Sequence, residues 1–181
     1  MWNDGVGRYP TLDRTTGSTT TITNAHHEVH DGDHFFIEGH TELDTAATLY
    51  VKLVTPNTTK WAHFTWEISS NGILETKLYE GSSGGMAGGA GVTPLNNNRN
   101  STKTSGLDIT SGVAVATTLG TLISNKKVGG TQFKGSFGGD SVRSDELILK
   151  QNTTYLRTFL SSSDDNFISF KATWYEHTNR A

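Results

Sequence analysis

Five of the chain's seven histidines fall in HHEVHDGDHFFIEGH, residues 26–40, beside two aspartates and two glutamates. Imidazoles and carboxylates at this density can serve as metal ligands, as general acids and bases, or as groups that titrate near neutral pH. The backbone decides among these. On a helix, His26 and His30 would share one face and reach a common ion, as in the helical zinc motif. In a strand they would stand roughly 13 Å apart, at about 3.3 Å per residue, too far to chelate together.

Asp31-Gly32-Asp33 reads as the three-residue loop of a hairpin, with His30 opposite His34, Glu28 opposite Phe36 and His26 opposite Glu38. One face then carries His26, Glu28, His30, His34, Phe36 and Glu38, and the other His27, Val29, Phe35 and Ile37. This register largely segregates the apolar side chains, whereas a loop one residue shorter would mix the faces. His30 and His34, about 5 Å apart at Cβ, could hold an ion with Asp31 or Asp33 as third donor. The plainer expectation is a hydrated face on which histidines alternate with carboxylates, available to another subunit and sensitive to pH there. No metal ligand, cofactor or catalytic residue is therefore assigned.

Elsewhere the chemistry is sparse. No serine stands with an organised base and orienting acid, since the histidines crowd the opening segment, and the carboxylates that glycoside hydrolysis would need, such as Glu67, Glu75, Asp145 and Glu146, occur in any chain of this size. GSSGGMAGGAG lacks the Gly-Lys-Ser/Thr ending of a phosphate-binding loop. The N-glycosylation patterns at Asn57, Asn100 and Asn152 are expected by chance in a chain rich in asparagine and threonine. Of the aromatics, Trp66 and Trp174 fall on apolar faces, leaving Trp61 and Tyr175 as outward candidates for sugar stacking. The expectation is a protein that is not an enzyme.

The elements that would position these residues are strands. Alternation puts Leu49, Val51 and Leu53 on one side of TLYVKLV, and Ala62, Phe64, Trp66 and Ile68 on one side of WAHFTWEI, with Trp61, His63, Thr65 and Glu67 opposite. Leu74 and Leu78 share a face with Thr76, and Ile168, Phe170, Ala172 and Trp174 line up in FISFKATWY. ELILK and TTYLRTFL add two more strands; in the latter, Tyr155, Leu156, Phe159 and Leu160 allow an inner face on either phase. TPNTTK and SNG supply turn chemistry between segments. LDITSGVAVATTLGTLI offers weaker strands, and NKKVGGTQFKGSFGGDS reads as an exposed excursion.

About eight main strands predict an all-β fold: an antiparallel two-sheet sandwich, jelly-roll-like, with long Gly/Asn-rich loops. The expected organisation is an N-terminal arm over residues 1–20 and one β-sandwich domain over 21–181, carrying a long loop at 80–106. The composition agrees, with 33% hydrophobic residues, 20 glycines and no cysteine in 181 residues. A net charge of −3 without long runs of one sign argues against a nucleic-acid partner. No stretch approaches the roughly 20 apolar residues of a membrane span, and the N-terminus lacks the pattern of a secretion signal.

The ordered set HHEVHDGDHFFIEGH, TPNTTKWAHFTWEI, TPLNNNRNS, ELILKQNTTYLRTFLSS and ATWYEH, covering roughly residues 20–177, resembles a family of small virion proteins of tailed bacteriophages and prophages. The resemblance implies a non-enzymatic structural protein, most plausibly a capsid decoration or cement protein. It would be made in the host cytoplasm and carried on the outer capsid surface, with the major capsid protein and sister subunits of a homotrimer as partners. A glycan- or receptor-binding module of a head fibre or tail tip is the alternative. The family brings no active-site residues to carry over.

Overall fold

The computed structural model describes residues 24–129 and 146–178. The expected arm at 1–20 and Asp145 lie outside the described residues. The chain opens with α1 (Asn24–Asp31), followed by β1 (His34–Leu43), β2 (Thr48–Val54), β3 (Lys60–Ser70) and β4 (Leu74–Glu80). Short strands β5 (Ser83–Gly85), β6 (Ala90–Gly91), β7 (Leu95–Asn96), β8 (Asp108–Ser111) and β9 (Ala116–Thr118) come next. The chain closes with β10 (Thr121–Val128), β11 (Leu147–Ile148), β12 (Thr154–Ser161) and β13 (Asn166–Thr178).

One sheet runs β11-β3-β13-β1-β7 and the other β10-β4-β12-β2-β8-β6, and the pairings are antiparallel. Leaving aside β5 to β9, the eight remaining strands switch sheets at every step except between β4 and β10, which pair within the second sheet; this is the jelly-roll arrangement of an antiparallel sandwich. The all-β expectation stands.

Period-two patterning does the packing. Phe35 and Ile37 of β1, Val51 and Leu53 of β2, Ala62, Phe64 and Ile68 of β3, Leu74 and Leu78 of β4, and Ile168, Phe170, Ala172 and Trp174 of β13 are buried in one core. Trp66 is partly buried and packs against it, with ring centroids 5.4 Å from Phe64 and 6.0 Å from both Phe159 and Phe170. Gly39, in register with Phe170, leaves room for that ring: a Cβ there would lie 2.8 Å from Phe170 Cζ. At one end of the sandwich Asn166, fully buried, accepts from Ser70 Oγ and the Gly72 amide and donates to Ser161 Oγ and the Ile73 carbonyl. One carboxamide thereby ties the β3–β4 turn to the β12–β13 turn with all its hydrogen-bonding capacity used.

The ambiguity of phase in β12 has a structural cause: both of its faces are covered. Tyr155 and Phe159 enter the main core. Leu156, pointing the other way, is equally buried beneath Val113 and Ala116, with Tyr50, Tyr79 and Met86 alongside. Arg157 faces the core, its guanidinium carbon 5.5 Å from the Trp66 ring centre and 5.9 Å from that of Phe159. Burial lowers its pKa to about 10, and the two aromatic faces offset part of the desolvation.

Two expectations are corrected. The first arm of the proposed hairpin is the helix α1, not a strand, so His26, Glu28 and His30 do not oppose Glu38, Phe36 and His34. Gly32, at φ 76°, ends the helix: its amide bonds the Val29 carbonyl, and the Asp33 amide bonds the Glu28 carbonyl, which is a Schellman termination. The second arm behaves as expected, with Phe35 and Ile37 inside. The stretch 80–106 is not one long loop. β6 extends β8, β7 extends β1, and β5 forms a ribbon with β9. Two-residue ladders use backbone groups alone and leave no apolar period to read.

Because Leu156 is fully enclosed, Leu156→Ala is expected to cost about 2–4 kcal/mol in chemical denaturation. Leu160→Ala, on the same face but only partly buried, should cost clearly less; equal losses would show that the glycine-rich segment does not cover β12.

Candidate functional site

The structure disperses the histidine-rich segment and assembles a different cluster. On α1, His26 and His30 meet with Nε2 atoms 3.0 Å apart, and His27 Nδ1 lies 3.3 Å from Asp31 Oδ2 and 4.0 Å from Glu28 Oε1. The triad His27, Glu28 and Asp31 is compact enough for an ion, but His27 and Asp31 are exposed. His34 stands on β1, its ring 6.3 Å from that of Tyr175, so the imagined site of His30, His34 and an aspartate does not form. Burial first, and then the charge of Lys171, holds the His34 pKa below the ordinary histidine value. Its Nδ1 is buried with no hydrogen-bond partner.

Asp33 has a different task. Its carboxylate receives Lys60 Nζ at 2.9 Å and Lys103 Nζ at 2.7 Å. Beside it, Asn96 Nδ2 donates to the Gly32 carbonyl at 2.7 Å, and Asn98 Nδ2 to the His30 carbonyl at 3.1 Å. Side chains from β3 and from residues 96–103 thus hold the C-terminal end of a helix that contributes little apolar surface of its own. Burial raises the Asp33 pKa, but the two lysine hydrogen bonds and charges outweigh it and leave the net value lowered.

The cluster that does form lies on the outer face of the first sheet. In the β3–β13 register His63 pairs with Tyr175 and Trp61 with His177. Glu146, just before β11, closes the group from the sheet edge: its Oε1 lies 2.7 Å from His63 Nδ1 and accepts the Tyr175 hydroxyl at 2.9 Å. The rings of His63 and Tyr175 stack at 4.5 Å, and those of His63 and His177 at 4.6 Å. His63 and His177 bring their Nε2 atoms to 2.9 Å. His63 and Glu146 keep 12% and 21% of their side-chain surface exposed, so the group is sheltered but open to solvent on one side.

Of the described carboxylates considered for hydrolysis, Glu146 alone joins this group. Glu67, in register with Lys171, is on the outer face of the first sheet, and Glu75 pairs with Lys77 at 3.1 Å on the second. Tyr175, an outward candidate for sugar stacking, does lie on the outer face but is covered there, at 7% exposure. The ring surface it would have offered a sugar is taken by His63 and His34. Sequence reading passed over His63 and His177 because they lie 114 residues apart and are brought together only by strand pairing. The available signal was that His63, Tyr175 and His177 all share the outward phase of their strands.

The chain matches no protein-family model, no curated protein and no solved structure. Fold and site together define the class: a jelly-roll sandwich with a polar, histidine-bearing outer face. No helix among the described residues is long and apolar enough to cross a membrane.

The Asp33 contacts set a pH dependence. A carboxyl whose pKa is lowered on folding adds stability above its unfolded value, about 3.9, and loses it as pH falls through the lower folded value. Asp33→Asn should therefore cost about 1 kcal/mol at neutral pH, the lysines being half-exposed. The difference from wild type should vanish in strong acid; melting curves from pH 7 to about pH 2 would check this.

Proposed function

We propose that this chain is a non-enzymatic structural protein of a tailed-bacteriophage virion. It sits on the outer capsid surface as a decoration protein, a homotrimer contacting the major capsid protein and its sister subunits. The observation that carries this reading is an apolar stretch at residues 115–123. Val115, Leu119, Leu122 and Ile123 are 51%, 37%, 48% and 38% exposed there, four large apolar side chains within nine residues. Leu122 and Ile123 belong to β10, the edge of the second sheet, whose far side carries no further strand among the described residues.

An edge strand with exposed apolar side chains invites pairing with another protein. Between Leu122 and Ser124 the pairing with β4 is bulged, and Lys126 and Lys127 follow, two features that restrict indiscriminate strand addition. A lattice protein needs such surfaces, because repeated copies make modest contacts collectively strong. The sequence resemblance over residues 20–177 supports the same reading. The alternative, a glycan- or receptor-binding module, has less support: Trp174 and Tyr175 are buried, Trp66 packs into the core, and Trp61 is half-buried.

The test begins with purified particles, in which mass spectrometry and cryo-electron microscopy are expected to find the protein at symmetry-related positions on the shell. Leu122→Glu combined with Ile123→Glu should leave the melting curve nearly unchanged and abolish binding to undecorated capsids. A glycan array should stay blank. Absence of the protein from purified virions would overturn the proposal.

A further inference from the structure

The His63–His177 contact raises a question of protons that hydrogen bonding among the described residues does not answer. His63 Nδ1 lies 2.7 Å from a carboxylate oxygen of Glu146, and His177 Nδ1 lies 2.8 Å from the Thr178 carbonyl oxygen. Both partners are acceptors, and the Tyr175 hydroxyl, 3.1 Å from His63 Nδ1, gives its own hydrogen to Glu146, so each Nδ1 carries its hydrogen. In the neutral rings both Nε2 atoms are then bare lone pairs, and they face each other at 2.9 Å. Two lone pairs at that distance repel unless a positive centre is shared between them.

A shared proton fits poorly. A head-on N–H···N bond of this length would hold the ring centres roughly 5 Å apart, with the rings meeting edge to edge. Here the centres are 4.6 Å apart and the planes are inclined by only 29°, so the rings stack and approach obliquely. An ion in front of both nitrogens fits better. Two nitrogens bound at about 2.0–2.1 Å and at right angles around one metal are about 2.9 Å apart; in a tetrahedral site they would be about 3.3 Å apart.

We propose that His63 and His177 form a binding site for one late first-row divalent transition-metal ion, held through both Nε2 atoms in adjacent positions, with Ni(II) and Cu(II) fitting more closely than Zn(II). Glu146 and the Thr178 carbonyl act as positioning groups. Each accepts a hydrogen bond from Nδ1–H, fixes the tautomer and turns Nε2 toward the ion, as carboxylates and carbonyls do behind metal-bound histidines elsewhere. The remaining coordination positions are left for water or for a donor from a neighbouring molecule. This site is independent of the particle role proposed above.

The competing histidines of α1 must be removed first, so the probe is Ni(II) titrated calorimetrically into the full chain carrying His26→Gln, His27→Gln and His30→Gln. One equivalent is expected to bind, and His177→Gln, at the end of β13, should weaken it at least tenfold without altering the metal-free melting curve. Glu146→Ala should weaken binding about 10-fold or more through loss of orientation. Cu(II) should broaden the ring resonances of His63 and His177 before those of His34 or His40. No binding up to millimolar Ni(II), or binding that survives both His63→Gln and His177→Gln, would overturn the proposal in favour of a proton held between the rings.

Discussion

The register of β3 on β13 is the constraint on which the rest depends. The two strands pair over eleven residues, and on the inside this sets Phe64 beside Trp174 and Trp66 beside Ala172. The same register sets His63 beside Tyr175 on the outside. A slip of one residue would turn the histidines into the core and the aromatic rings into water, a change no sandwich of this size would survive. The energy that holds the outward cluster in place is therefore spent on the inward one. Phe64 and Trp174 stack at 5.4 Å, and Trp174 Nε1 donates to Glu176 at 3.0 Å. Glu176, itself buried, also accepts from Ser105 Oγ and the Gly106 amide. That carboxylate anchors the segment entering β8 to the end of β13.

The two outer faces have been put to different uses. The second sheet hides part of its outer surface under Met86 of the glycine-rich segment and under Val113 and Ala116 of the stretch after β8, which is why β12 is apolar in both phases. Glycine at positive φ makes this close covering possible: at Gly85 a Cβ would come within 2.5 Å of the Val115 carbonyl oxygen. The first sheet leaves its outer face to polar and aromatic side chains, with Glu146 closing one edge and Leu95 of β7 the other. Leu95, Ile148 and Phe167 are exposed singly, whereas Val115, Leu119, Leu122 and Ile123 gather at residues 115–123, next to the open edge of β10.

The misreading of Asp31-Gly32-Asp33 shows where local pattern stops being decisive. A glycine at positive φ flanked by aspartates suits a hairpin loop and a helix C-terminus equally well. The α1 segment has little apolar periodicity to favour a helix. What selects the helix is remote: Asn96 and Asn98 cap its last carbonyls, and Lys60 and Lys103 grip Asp33. None of those four partners is within 25 residues of the groups they bind. The same limit hid the His63 cluster, whose two strands and one edge residue are brought together only by the sheet order.

Alternation of apolar and polar residues, set by side chains pointing to opposite sides of a pleated strand, was enough to determine by itself that this chain folds as a two-sheet sandwich and which rings of β3 and β13 fill it. It also separated the outward residues of β3 and β13 from the inward ones. Which outward residues meet one another was decided only by tertiary structure, because pairing partners follow from how two whole sheets close over a common core. Contacts spanning more than a hundred residues, such as that between His63 and His177, have no local signature. Side-chain period encodes a face, and the closed sandwich alone supplies the neighbour.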